Sequence, residues 1–303
     1  MDLLITGAAG FIGSALTRAL RGAGHPVTAL DDLSVTSPRP HPHGLQVRDV
    51  RELTPGDLAG IDTIVHLAAH KSVPASFEVG GFEHNTCVDR HLLHTFSASG
   101  ARRLLLASSC EVHGQQPGPL AETAERRPRS PYAAGKQATE VLAEIYRPRL
   151  RAGREIGVVR FFNTFGPEED PDAVVPAFID AAADGRPLQI EGDGNQARDL
   201  TYIADTVTMF TRILQRPALL PVVNVGSGRT ITIRALADAV IRTVGRGTTV
   251  HTDPRPNEIA SFTADMTLFN ATYGPVDLLP LQAALAETYA QRARAWATAG
   301  AAR

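Results

Sequence analysis

Leu3-Leu4-Ile5-Thr6-Gly7-Ala8-Ala9-Gly10-Phe11-Ile12-Gly13 decides the fold. A short apolar run of strand length enters a GxxGxxG loop. Ile12, Leu16 and Leu20 then mark one face of a helix, with Gly22 and Gly24 as stop signals. Glycine is needed where backbone approaches a pyrophosphate and where helix packs close on strand, and a helix amino terminus offers free N–H groups to phosphate. Gly7, Gly10, Phe11, Ile12 and Gly13 therefore read as the phosphate-binding turn of a dinucleotide site. Residues 27–30 supply a second strand that ends in Asp31-Asp32. A carboxylate there accepts hydrogen bonds from a ribose diol and repels a 2′-phosphate. Asp31 takes that role and Asp32 caps a turn. The first arginine after them is Arg39, beyond a turn, so the cofactor reads as NAD rather than NADP.

Further strands are expected at 45–48, ending at Asp49 and Val50 beside adenine, and at 62–68, which carries Leu67, Ala68 and Ala69 past the cofactor. Lys71, Val73 and Ser76 follow at the carboxyl-terminal edge, where substrate gathers in such sheets. A helix over 82–97 leads to a central buried strand at 103–109, with Ser108 and Ser109 at its end and Cys110 and Glu111 next. After Pro131, Ala138, Val141, Leu142 and Ile145 repeat at helical spacing and predict a buried apolar face. Tyr132 and Lys136 stand four apart on that helix and leave it on one side. A phenol with a pKa of roughly 10 is a poor base at neutral pH, and a neighbouring ammonium lowers it. Tyr132 then accepts a proton from a sugar hydroxyl that Ser109 holds. Of 30 basic residues 28 are arginine, so the lysine at 136 stands out, because a compact ammonium and a planar guanidinium are not interchangeable.

The 303 residues are long enough to bury a substantial core. A net charge of −2 without a basic block gives no footprint for nucleic acid. No apolar run approaches the ~20 residues of a membrane span. Cys87 and Cys110 make no disulfide framework, and no secretory leader is visible, which fits the cytoplasm. His41 and His43 lie in a Pro-rich loop with no third ligand near them, so no metal is expected. Beyond a strand at 156–162 the alternation of strand and helix breaks down. The expected architecture is an α/β doubly wound parallel sheet, of the Rossmann kind, with a smaller discontinuous carboxyl-terminal lobe. Residues 1–165 with about 196–225 form the dinucleotide-binding part, and about 166–195 with 226–303 the substrate lobe. Arg198 and Arg255 are candidate diphosphate ligands.

Thr-Gly-Ala-Ala-Gly-Phe-Ile-Gly, His-Leu-Ala-Ala, Ser-Pro-Tyr-Ala-Ala-Gly-Lys, Arg-Phe-Phe-Asn-Thr-Phe-Gly-Pro and Arg-Asp-Leu-Thr-Tyr-Ile, in this order, resemble the extended short-chain dehydrogenases of the NAD-dependent epimerase/dehydratase family. The resemblance implies a nucleotide-sugar substrate, a UDP-sugar favoured, and a homodimer paired through two helices. It implies Ser109, Tyr132 and Lys136 as the catalytic trio. It also places Asn163, Val174, Arg198, Arg255 and Glu258 around the substrate. Three positions depart from the family pattern. His113 replaces the usual Tyr of Val-Tyr-Gly, and Asn85 to His91 lack the usual Gly and second Asn. Cys110-Glu111 keeps the Glu of hexose dehydratases with a thiol in place of their Asp. The last pair resembles that of 5,6-dehydratases acting on UDP-N-acetylglucosamine. The favoured reaction is thus oxidation at sugar carbon 4 followed by loss of water across carbons 5 and 6. Four-epimerisation, decarboxylation of a nucleotide glucuronate and a non-catalytic NAD sensor stand as alternatives.

Overall fold

The computed structural model describes residues 1–35, 39–78, 80–255 and 258–301. In chain order its strands are β1 (Leu3–Thr6), β2 (Val27–Asp31), β3 (Gln46–Val47), β4 (Thr63–His66), β5 (Arg103–Ser109), β6 (Glu155–Phe161), β7 (Asn163–Phe165), β8 (Leu188–Glu191), β9 (Ala197–Tyr202), β10 (Val222–Val225), β11 (Thr230–Thr232) and β12 (Thr249–Thr252). The helices are α1 (Phe11–Gly22), α2 (Gly81–Ala98), α3 (Pro131–Tyr146), α4 (Val174–Ala183), α5 (Ile203–Gln215), α6 (Ile233–Val244), α7 (Thr267–Tyr273) and α8 (Leu281–Ala301).

Among the described residues seven strands make one parallel sheet in the order β10-β6-β5-β4-β1-β2-β3. Strand β1 pairs with β2 on one side and β4 on the other, so the strand order reverses there and a crevice opens at the carboxyl ends. Alternation along the strands splits the core. Leu3, Ile5 and Leu105 pack with Leu16 and Phe210 of α1 and α5 on one face. Leu4, Leu104 and Leu106 pack with Leu92 and Phe96 of α2 on the other. The doubly wound expectation holds. Smaller sheets, β11-β9-β7 and β12-β8, lie beyond. A separate apolar cluster there joins Val175, Phe178 and Ile179 of α4 to Leu236 and Val240 of α6 and Leu285 of α8.

The structure corrects the expected packing of α3. Its buried residues are Ala133, Gly135, Lys136, Thr139, Glu140 and Ala143, whereas Val141 and Ile145 are 36% and 45% exposed. Leu142 is partly buried against the core cluster of Leu92 and Phe96, but Val141 and Ile145 face outward, because a polar lock holds the opposite side. Glu140 accepts from Arg160 Nε at 2.8 Å and Nη2 at 2.7 Å, and from the Ser108 hydroxyl at 2.5 Å. Ser108 therefore serves this lock with its side chain, and Ser109 alone of the two hydroxyls is left for the crevice. Breaking one partner of a buried ion pair leaves an uncompensated charge, so Glu140→Ala should cost about 3–5 kcal/mol in chemical denaturation.

Candidate active site

The loop between β1 and α1 is held by close backbone contact. Gly7 has φ +68°, and a Cβ there would lie 2.6 Å from Ala68 N; a Cβ on Gly13 would lie 2.0 Å from Gly7 O. Any side chain would push loop, strand and helix apart. Asp31 braces the loop, accepting from Ala9 N and Leu33 N at 2.9 Å each. Each oxygen keeps a lone pair for a ribose hydroxyl. Asp32 accepts from Ser34 N and Oγ, the turn cap expected of it. Asp49 pairs with Arg51, whose hydrogen bond holds the carboxyl below its usual range.

One cleft is lined by Gly7, Gly10, Phe11, Ile12, Gly13, Asp31, Asp49, Val50, Leu67, Ala68 and Ala69 at one end and by Ser109, Cys110, Glu111, Tyr132 and Lys136 at the other. Lys71, Val73 and Asn163 line it too. The glycine cradle, the braced carboxylate and this continuous cleft fit a dinucleotide. The other expected substrate residues do not line this cleft, although Arg198 and Glu258 lie close enough to Glu111 to act on its charge. Ser76 is buried and donates its hydroxyl to Val73 O at 2.6 Å. Val174 opens α4. Arg198 is paired with Glu258 and donates to Ile259 O at 2.8 Å, and Arg255 pairs with Glu191 at 2.5 Å.

At the chemical end, Ser109 closes β5, and its hydroxyl caps the turn that follows by accepting from Glu111 N at 3.2 Å. Tyr132 does not have the lowered pKa that its spacing from Lys136 predicts. Burial pushes the phenol up; the Ser109 hydroxyl pulls it down, and Cys110, Glu111 and Asp89 push it further up. Lys136 Nζ instead donates to Ala107 O at 2.9 Å, and burial pulls the ammonium down against the attraction of Asp89. Asp89, fully buried on α2, accepts from His66 Nε2 at 2.9 Å and from the Thr139 hydroxyl, and His66 Nδ1 meets Thr6 Oγ1 at 2.6 Å. Burial pushes Asp89 up, but His66 and Lys136 more than offset this and leave it below its usual range. This buried acid under Lys136 went unread in the sequence, although it lies in the α2 segment that departs from the family pattern. In the same segment Val88 is buried and His91 Nε2 lies 2.9 Å from Leu53 O.

Cys110 and Glu111 sit side by side on the turn after β5. Burial, with the Glu111 charge beside it, pushes the thiol well above its ordinary value. Burial also raises the Glu111 carboxyl, against the pull of Arg198. The thiol is therefore protonated at neutral pH, and the carboxylate is a stronger base than an exposed one.

The NAD dependent epimerase/dehydratase family model matches residues 3–226. The chain belongs to that family. It is an NAD-dependent enzyme of nucleotide-sugar dehydratase or epimerase chemistry. Its fold is similar to that of TunA, an NAD dependent NDP-hexosamine 5,6-dehydratase involved in tunicamycin biosynthesis, at 38% identity and a TM-score of 0.90 over 96% of this chain and 97% of that one. MoeE5 in complex with UDP-glucuronic acid and NAD superposes with a TM-score of 0.87 at 31% identity, over 97% of this chain and 100% of that one. A UDP-glucose 4-epimerase of Mycolicibacterium smegmatis is 34% identical over 81% of this chain and 83% of its own.

His113, the unexplained departure, joins the lock under α3. Its ring nitrogens meet Glu125 O and Arg160 Nη1, each at 3.3 Å. Burial, then Arg160, pushes its pKa from 6.5 down to about 4. Between those values the unfolded chain takes up a proton that the folded chain refuses. Stability should be insensitive to this residue above pH 6.5 and fall by up to about 3 kcal/mol as pH drops through 4. Urea midpoints compared between pH 7 and the acid range should show a shallower loss in His113→Gln.

Proposed function

We propose that this enzyme is a nucleotide-sugar 5,6-dehydratase, acting on UDP-N-acetylglucosamine. The observation that carries this reading is the Cys110-Glu111 pair, a buried thiol next to a partly buried carboxyl, in one cleft with Ser109 and Tyr132 at the end of β5. NAD held between the glycine loop and Asp31 would supply a transient hydride acceptor for sugar carbon 4. Tyr132 removes the proton of the carbon 4 hydroxyl, which Ser109 holds in line. Tyr132 takes that proton as the phenolate and becomes the neutral phenol; Lys136, braced by Ala107 O and Asp89, supports the phenolate that the step requires. A ketone at carbon 4 acidifies the proton on carbon 5, and Glu111 accepts it. The Cys110 thiol gives its proton to the departing carbon 6 hydroxyl, which leaves as water. Transfer of the proton from Glu111 to the neighbouring thiolate resets the pair. With hydride and proton back at carbon 4, the product is a 5,6-alkene. Residues 166–195 and 226–303 form the substrate lobe in this reading, with Asn163, Arg198 and Arg255 on the diphosphate.

Four-epimerisation is the second reading. Cys110 packs against Leu120, Phe162, Ile259 and Phe262, as an inert apolar thiol would. An epimerase needs Ser109, Tyr132 and Lys136 but neither Cys110 nor Glu111. Mass spectrometry on UDP-N-acetylglucosamine should show loss of one water. Glu111→Gln should abolish that loss, and Cys110→Ala should slow it by about 10², the lower end for a positioned acid. Unchanged mass with an inverted carbon 4, retained in both variants, would establish the epimerase instead.

The exposed Val141 and Ile145 of α3, with Phe82 of α2 also 36% exposed, support a homodimer closed through these two helices. Light scattering should give twice the chain mass, and Val141→Asp with Ile145→Asp should give the monomer.

A further inference from the structure

Glu169 lies in the segment after β7 that folds back over the glycine loop. The contact is direct: a Cβ on Gly166 would lie 3.3 Å from the Phe11 ring. Arg39 ties the two together, donating to Ala9 O at 3.3 Å, Glu168 O at 3.0 Å and Asp170 at 2.5 Å. Glu169 lines the same cleft as Gly10, Phe11 and Ile12. Its Oε2 is shielded from solvent and has no hydrogen-bond partner among the described residues. A buried polar atom without a partner costs free energy, so its presence in a binding cleft points to a partner that arrives with the ligand.

The glycine loop and the amino terminus of α1 are where the dinucleotide's pyrophosphate belongs. An ionised carboxylate beside that diphosphate would repel it; a carboxylic acid would donate a hydrogen bond to it. Burial raises Glu169 to about 8 against the pull of Lys71, a Gly166 backbone hydrogen bond and Arg292 of α8, while Asp170 pushes it up further. Arg39 and Lys71 are both committed to Asp170, and Arg292 to Asp180. The acid form is thus available at neutral pH.

We propose that Glu169 is a cofactor ligand that binds the NAD pyrophosphate as a neutral carboxylic acid, and that its ionisation weakens cofactor binding. Binding then requires the proton. Above pH 8 the dissociation constant for NAD should rise about tenfold per pH unit, and calorimetry in two buffers should record uptake of about one proton at alkaline pH. ADP, which carries the same diphosphate, should show this dependence and adenosine should not. Glu169→Gln keeps an N–H donor without the titration, so its affinity for NAD should stay level across that range. An equal alkaline loss in Glu169→Gln, or a pH-independent affinity of the unmodified chain for ADP, would overturn the assignment. The proton-uptake measurement on the unmodified chain decides it even if the variant folds poorly.

Discussion

The buried pair of Glu140 and Arg160 holds the chemistry in place. Two charges out of water are tolerable only with good geometry and every remaining lone pair satisfied. Here the guanidinium forks onto the carboxylate, Ser108 adds a third hydrogen bond, and Arg126 approaches at 3.3 Å. Arg160 spends its remaining donor on Glu122 O and His113. The pair joins the middle of α3 to β6, and Ser108 ties both to β5. One turn earlier on α3 lies Lys136, and one turn before that Tyr132. The register of the catalytic helix on the strand that carries Ser109 is therefore set by electrostatics beneath it.

Burial is the second theme, since it fixes the resting protonation of the cleft. It raises the Tyr132 phenol, keeps the Cys110 thiol protonated and makes Glu111 a stronger base. The Asp89–His66–Thr6 chain works against burial on Lys136 by setting a negative charge under the ammonium. A site that moves protons and a hydride on one sugar ring needs groups whose protonation states differ at one pH. A common scaffold with different neighbours supplies that difference.

From sequence alone, the glycine loop, the carboxylate after β2 and the Tyr132–Lys136 spacing determined the doubly wound sheet and the residues that meet in its crevice. These are local rules. The positive φ of Gly7 is one that a side chain rarely adopts in any surroundings, and residues four apart share a helix side in any protein. The tertiary structure decided what depends on distant partners. It turned Val141 and Ile145 of α3 outward, because Arg160, twenty residues further on, claims Glu140 on the other side. It raised Tyr132 where spacing alone implied lowering, because burial outweighs an ammonium directed at Ala107 O. It gave His113 a place between Glu125 O and Arg160, and it left Glu169 without a partner over the phosphate loop. Each of these follows from burial and from contacts across the sheet, which a linear pattern does not encode.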